Sequence, residues 1–236
     1  MTNSYSLSLR PKLVFIHGLN NNLVAFGPLM DHFKNLGFET ELIVLPGHGN
    51  DRKSITNLEG ALESFNRSLM HLKGQPYYAV AFSHGALYLE LWLNKYQTHP
   101  PIKKILLAPA LHIRRYKLLR WIFTLLPSFF MVKSFSPKDL RRYQVVTARE
   151  YRILMDGIET YQNISDGNVP GIILIDPKDE LVDAQKLQKL LKNVEFIERP
   201  NLKNGLGLHH IIFHPKYFTN EEWRNFTRKI EIFLEV

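Results

Sequence analysis

The sequence predicts an α/β fold: a mostly parallel sheet of about six strands, helices on both faces, and a helical insertion at about residues 111–168. Two observations carry this. Short apolar runs are continuous rather than alternating, the pattern of strands buried on both faces. Between them lie segments with apolar residues at helical spacing, so strand and helix alternate as a parallel sheet with crossover helices requires. With 236 residues, 45% of them hydrophobic, the chain can build one sizeable core, and a single domain over 1–236 is expected.

Taken in order, Leu13 to Ile16 is the first strand candidate, ending in His17-Gly18. Leu19 and three asparagines follow as loop, then a helix to Leu36 with Gly37 as its stop. Glu41 to Leu45 is a second strand, closed by LPGHGN, where Gly47 and Gly49 allow positive φ. Leu58 to Leu72 repeats apolar residues at helical spacing and stops at Gly74. Tyr77 to Phe82 is the third strand, and a helix-compatible stretch, Ala86 to Tyr96, follows at once. Pro100-Pro101 breaks the chain before a strand at Ile102 to Ala108. From Leu111 the alternation lapses, and the interval to 168 reads as helical around WIFTLLPSFFMV. Strands return at Gly171 to Ile175 and Val194 to Ile197, with an amphipathic helix, Asp183 to Leu191, between them. A loop, NLKNGLGL, delivers His209 and His210, and a helix over Glu222 to Leu234 follows.

The stretch AVAFSHGALYL, residues 79–89, organises the chemistry. A strand that becomes a helix within two residues must bend sharply, which needs small neighbours, and Ala81 and Gly85 supply them. The bend puts Ser83 in a strained, reachable position at the carboxyl edge of a sheet. The N–H of His84 then lies in the first turn of a helix, where unpaired amides and the helix dipole favour an anion.

These residues resemble the nucleophile elbow of the α/β-hydrolase superfamily, whose pattern is GxSxG; Ala81 replaces the first glycine here. The resemblance implies further roles. A strand ending in His-Gly supplies an oxyanion donor from the next residue, the Leu19 amide, beside that of His84. His48 in LPGHGN is structural. The acid follows the strand Gly171 to Ile175, where DPKDELV stands for the family's GxxDxxV, so Asp179 is preferred over Asp176 and Asp183. An Asp before a helix can equally be its N-cap. The triad histidine is taken as His209, because Ile211-Ile212 follow it as in relatives, with His210 as the alternative. The order serine, acid, histidine is the one expected of the fold. The implied activity is a serine carboxylesterase resembling monoacylglycerol lipases and lysophospholipases, without metal or organic cofactor. Alternatives on the same site are an acyltransferase, a thioesterase, or a non-catalytic binding module. The interval at about 111–168 is then a lid.

Composition narrows the rest. There is no cysteine, which excludes disulfides, zinc–thiolate sites and thiol catalysis. The N-terminus lacks a signal-peptide pattern, and no apolar run approaches the roughly 18 residues of a membrane span, so a cytoplasmic protein is expected. Of the formal net charge of +8, almost all sits between Leu111 and Arg142, where eight Lys or Arg face one acid, Asp139. Aromatics beside these cations suit an acyl ester with an anionic head group, or transient contact with an anionic membrane surface. No nucleic-acid motif accompanies the charge, and no nucleic-acid partner is expected.

Overall fold

In the computed structural model, which describes residues 10–49, 55–164, 169–203, 205 and 207–236, the strands are β1 (Lys12–Ile16), β2 (Thr40–Ile43), β3 (Tyr77–Phe82), β4 (Lys104–Leu107), β5 (Met131–Lys133), β6 (Val145–Thr147), β7 (Gly171–Ile175) and β8 (Val194–Phe196). The helices are α1 (Gly27–Asn35), α2 (Leu58–Leu69), α3 (His84–Lys95), α4 (Tyr116–Leu125), α5 (Ala148–Tyr161), α6 (Ala184–Leu190) and α7 (Asn220–Leu234). Parts of three expectations lie outside the described residues: Asn50 of LPGHGN, the insertion's end at 165–168, and Asn204 and Leu206 of the histidine loop. The N-terminal residues 1–9 lie outside them too.

Six strands form one parallel sheet in the order β2-β1-β3-β4-β7-β8. This is the predicted α/β-hydrolase architecture, and the continuous apolar runs are its cause. β4 is buried at all four positions and β3 at five of six, because helices cover both faces. The register aligns the carboxyl ends: Ile16 lies opposite Ala81, Phe82 opposite Leu107, and Leu107 opposite Leu174. The loops after β1, β3, β4 and β7 therefore emerge along one edge. Such an edge is where open α/β sheets hold their ligands.

Behind that edge, α3 is buried along most of its length, from His84 to Leu93, and packs against α2 and α5. Its buried side chains are apolar apart from His84 and Glu90, the latter paired with Lys104, and a helix so enclosed fixes whatever its first turn carries. Thr147 and Glu150 form a capping box that starts α5.

The interval after Leu111 departs from the prediction. It is not helical throughout: β5 and β6 pair antiparallel between α4 and α5. Pro127 explains where α4 ends, since the residue before a proline is driven to extended backbone, and Leu126 has φ −72° and ψ 143°. Downstream, Val132, Val145, Val146 and Thr147 are β-branched and suit a strand. Periodicity alone does not separate so short an apolar run from a helical one. Among the described residues no helix is long and apolar enough to cross a membrane.

Candidate active site

Ser83 sits between the last residue of β3 and the first of α3 with φ 51° and ψ −115°. Backbone of this kind is sparsely populated by non-glycine residues and costs on the order of 1–3 kcal/mol. Neighbours hold it there. The Ser83 N–H donates to the Leu107 carbonyl at 2.9 Å, and the Ala110 N–H donates to the Ser83 carbonyl at 3.1 Å. Gly85 is obligatory for a different reason, since a Cβ at this position would lie 2.3 Å from the His17 carbonyl oxygen. The start of α3 thus rests directly on the end of β1. Ala81, where the family pattern has glycine, is fully buried in β3.

The partner of Ser83 is His210. Its Nε2 lies 2.9 Å from Ser83 Oγ, and its Nδ1 lies 2.8 Å from Asp179 Oδ2. With Nδ1–H donated to the carboxylate, Nε2 is left to accept the serine O–H. Asp179 is fully buried, and its other oxygen accepts the Leu181 and Val182 amides, both at 2.8 Å. The ring of His210 packs on Phe82, with centroids 4.9 Å apart.

This corrects the choice of His209. That side chain, 1% exposed, donates instead to Asp176 Oδ2 at 2.9 Å, and among the described residues its buried Nε2 has no hydrogen-bond partner. Asp176 is also paired with Arg199, whose Nε donates to it at 3.0 Å. The two adjacent histidines therefore serve two different aspartates. Asp183 accepts the Lys186 amide and caps α6.

Leu19 and His84, expected to donate to an oxyanion, line one cavity with Ser83 and His210. Among the described residues neither amide N–H has a hydrogen-bond partner. Two histidines shape the loop carrying Leu19. His17 Nδ1–H donates to the Gly18 carbonyl while its Nε2 accepts the Leu45 amide, and His48 Nε2 accepts the Asn20 amide at 2.7 Å. Burial pushes the pKa of His17, and likewise of His84, down to about 3, so both rings are neutral at pH 7. His48 is structural in geometry, as read from the sequence. Asn20 ties the same loop to the segment after β5: its side chain donates to Ser134 Oγ and the Tyr143 carbonyl and accepts the Tyr143 amide.

The cavity measures about 540 Å³. Its apolar wall comes largely from the segment between β4 and β7: Leu119 and Phe123 of α4, Phe135, and Tyr151, Leu154 and Met155 of α5. Phe123 and Tyr151 stack at 4.4 Å. Arg114 and Arg115 border the same space, and Arg114 Nε donates to the Asp179 carbonyl at 2.8 Å. Among the described residues no cluster of three or more His, Cys, Asp or Glu is placed to hold a metal ion.

Sequence reasoning missed Glu180 and Arg199. Glu180 accepts the amides of both His209 and His210, and Arg199 is 2% exposed. Their local patterns, an acid beside an acid and a cation after a strand, look like those of solvated residues.

Comparison with known proteins bears on the family and the fold. A family model described as serine aminopeptidase, S33, matches residues 8–151. The fold is similar to a monoacylglycerol lipase of Paleococcus ferrophilus, with TM-score 0.71 and 15% identity over 96% of this chain and 95% of that one. A soluble variant of monoglyceride lipase from Saccharomyces cerevisiae aligns with TM-score 0.72 and 15% identity over 96% and 87%. An esterase from Exiguobacterium antarcticum gives 0.60 and 15% over 96% and 92%. At such identities the likeness carries the fold. No curated protein sequence matches the chain.

Proposed function

We infer the reaction from family and geometry together: this chain belongs to the serine aminopeptidase S33 family and is a hydrolase of the α/β-hydrolase fold. The reading we propose is serine ester hydrolysis through an acyl-enzyme. The observation that carries it is the continuous line of contacts from Asp179 through His210 to Ser83.

A serine hydroxyl is almost un-ionised at neutral pH, so it needs a base as it attacks. His210 Nε2 takes the Ser83 proton while Oγ bonds to the ester carbonyl carbon. Asp179 keeps the imidazole in the accepting tautomer and then stabilises the imidazolium. The amides of Leu19 and His84 meet the oxyanion of the tetrahedral intermediate, each such donor being worth roughly 3–4 kcal/mol. His210 returns the proton to the departing alcohol. A water, deprotonated by the same ring, attacks the acyl-enzyme carbonyl, and the resulting tetrahedral intermediate breaks its bond to Ser83 Oγ, which takes the proton back from His210 as the acid leaves.

The aromatic and aliphatic wall fits an acyl chain better than a peptide, which favours an acyl ester over the peptide chemistry in the family's description. Arg114 and Arg115 have no ion-pair partner among the described residues, and the carboxylates at that mouth, Glu180 and Asp183, accept backbone amides. An acyl ester with an anionic head group, such as a lysophospholipid, complements that mouth, and a monoacylglycerol is the neutral member of the same class. In this reading the chain is one domain in which residues at about 111–168 act as a lid. Trp121, Leu125, Phe129 and Met131 are all more than 60% exposed there, among Lys117 and Lys133, and touch an anionic membrane surface transiently.

The test is a fluorophosphonate probe and an ester panel graded in chain length and head-group charge, with an aminoacyl anilide alongside. Ser83 takes the label, and Ser83→Ala loses both label and turnover. Undiminished hydrolysis of p-nitrophenyl butyrate by Ser83→Ala means the mechanism is wrong. Product analysis with competing alcohols or acyl-CoA separates hydrolysis from acyl transfer and thioester cleavage.

A further inference from the structure

The loop that carries His210 belongs to no strand or helix, so its main chain must be held by something other than a ladder. Two charged side chains do this. Arg199, buried with its guanidinium 4.8 Å above the Phe218 ring, donates to the His209 carbonyl at 2.5 Å and to the Ile211 carbonyl at 2.6 Å. Those carbonyls flank His210 on either side. On the amide side, the two Glu180 oxygens accept the N–H groups of His209 and His210, each at 3.2 Å. Asp176 completes the arrangement by receiving both Arg199 Nε and the His209 ring. Burial pulls the Arg199 pKa down and the neighbouring Asp176 charge opposes this.

We propose that Arg199 and Glu180 are positioning residues: a cation gripping the carbonyls on both sides of His210, and an anion gripping the amides at 209 and 210, set the imidazole between Ser83 and Asp179. The inference rests on the reading of His210 as the base. Its physical ground is that hydrogen bonds to a charged partner are roughly twice as strong as neutral ones, and that a general base displaced by about 1 Å loses on the order of 100-fold in rate. The Asp176–His209 pair, which mimics the catalytic pair in composition, is then the anchor for Arg199. Among the described residues the His209 Nε2 has no hydrogen-bond partner with which to exchange a proton.

Arg199→Lys and Glu180→Gln, made in the full chain, are the test. Lysine keeps the charge but cannot span both carbonyls, and glutamine offers one acceptor where two amides need partners. For each variant, kcat and KM on p-nitrophenyl butyrate are measured at a temperature where urea titration shows full folding. The downfield proton resonance of the His210 Nδ1–H is recorded in parallel. The expected result is a 10- to 100-fold fall in kcat with KM within twofold, and a broadened or shifted resonance. Glu180→Asp, which restores a carboxylate, recovers part of the rate. Wild-type kcat and an unchanged resonance in folded Glu180→Gln overturn the proposal and leave these residues as stabilisers only. If Arg199→Lys does not fold, Glu180→Gln decides alone. Retained turnover in Ser83→Ala or His210→Ala would be the separate failure of the hydrolase reading.

Discussion

Exchanging the two adjacent histidines one at a time gives opposite results if the contacts found here govern the chemistry. His210→Ala removes the only imidazole within hydrogen-bond reach of Ser83 Oγ among the described residues, at 2.9 Å. Loss of the histidine of a serine triad costs about 10⁴- to 10⁶-fold in kcat, or roughly 5–8 kcal/mol of transition-state stabilisation. His209→Ala touches no reacting atom. It deletes a buried ring and one hydrogen bond to the Asp176 carboxylate, and a bond to a charged partner is worth roughly 1.5–3 kcal/mol. Adding a partly collapsed cavity brings the expected destabilisation to about 2–4 kcal/mol, within the 5–15 kcal/mol typical of native proteins. The variant should stay folded at 25 °C and keep activity per folded molecule within about tenfold of wild type. Urea titration gives the folded fraction, and p-nitrophenyl butyrate turnover with fluorophosphonate labelling gives the active fraction. A folded His209→Ala protein with a thousandfold loss, beside a His210→Ala protein that retains more than about 1% of the rate, refutes the assignment.

Three further outcomes are expected. His17 and His84 are neutral in the folded state because burial lowers each pKa to about 3, whereas both take up a proton on unfolding below about pH 6.5. Their contribution is therefore complete above pH 6.5 and drains away as pH falls toward 3, with a limiting slope of about 1.4 kcal/mol per pH unit for each. Urea midpoints should drop between pH 7 and 5, and His84→Leu should make that dependence shallower; an equal slope in the variant contradicts the buried-neutral account. Gly85→Ala forces a methyl to within 2.3 Å of the His17 carbonyl, and with no side chain able to yield it should cost at least about 1–3 kcal/mol by thermal unfolding. Replacing Trp121 and Phe129, 63% and 79% exposed, by serine should reduce sedimentation with anionic vesicles several-fold at low salt while leaving butyrate ester hydrolysis within twofold; unchanged vesicle binding removes the membrane role.

Much of this protein is legible in one dimension. Fully buried strands must be apolar at successive positions, so the runs at Leu13, Tyr77, Ile102 and Gly171 betray the sheet before any partner is known, and a strand handing over to a helix around a small-residue serine marks Ser83. The turn after β7 is equally visible as the place for an acid, although it offers Asp176, Asp179 and Asp183 together, and only the resemblance to the family's GxxDxxV pattern favours Asp179. What local pattern does not contain is any choice between His209 and His210. Neighbouring residues of an irregular loop share almost the same sequence surroundings, and which ring meets Ser83 depends on Asp179, Asp176, Glu180 and Arg199, all at least ten residues away and brought near by β7, β8 and the loops after them. The β5–β6 pair escaped for a related reason, since a three-residue strand is defined by the strand it pairs with rather than by its own periodicity. Chain order supplied the candidates, and long-range hydrogen bonding between buried charged groups selected among them.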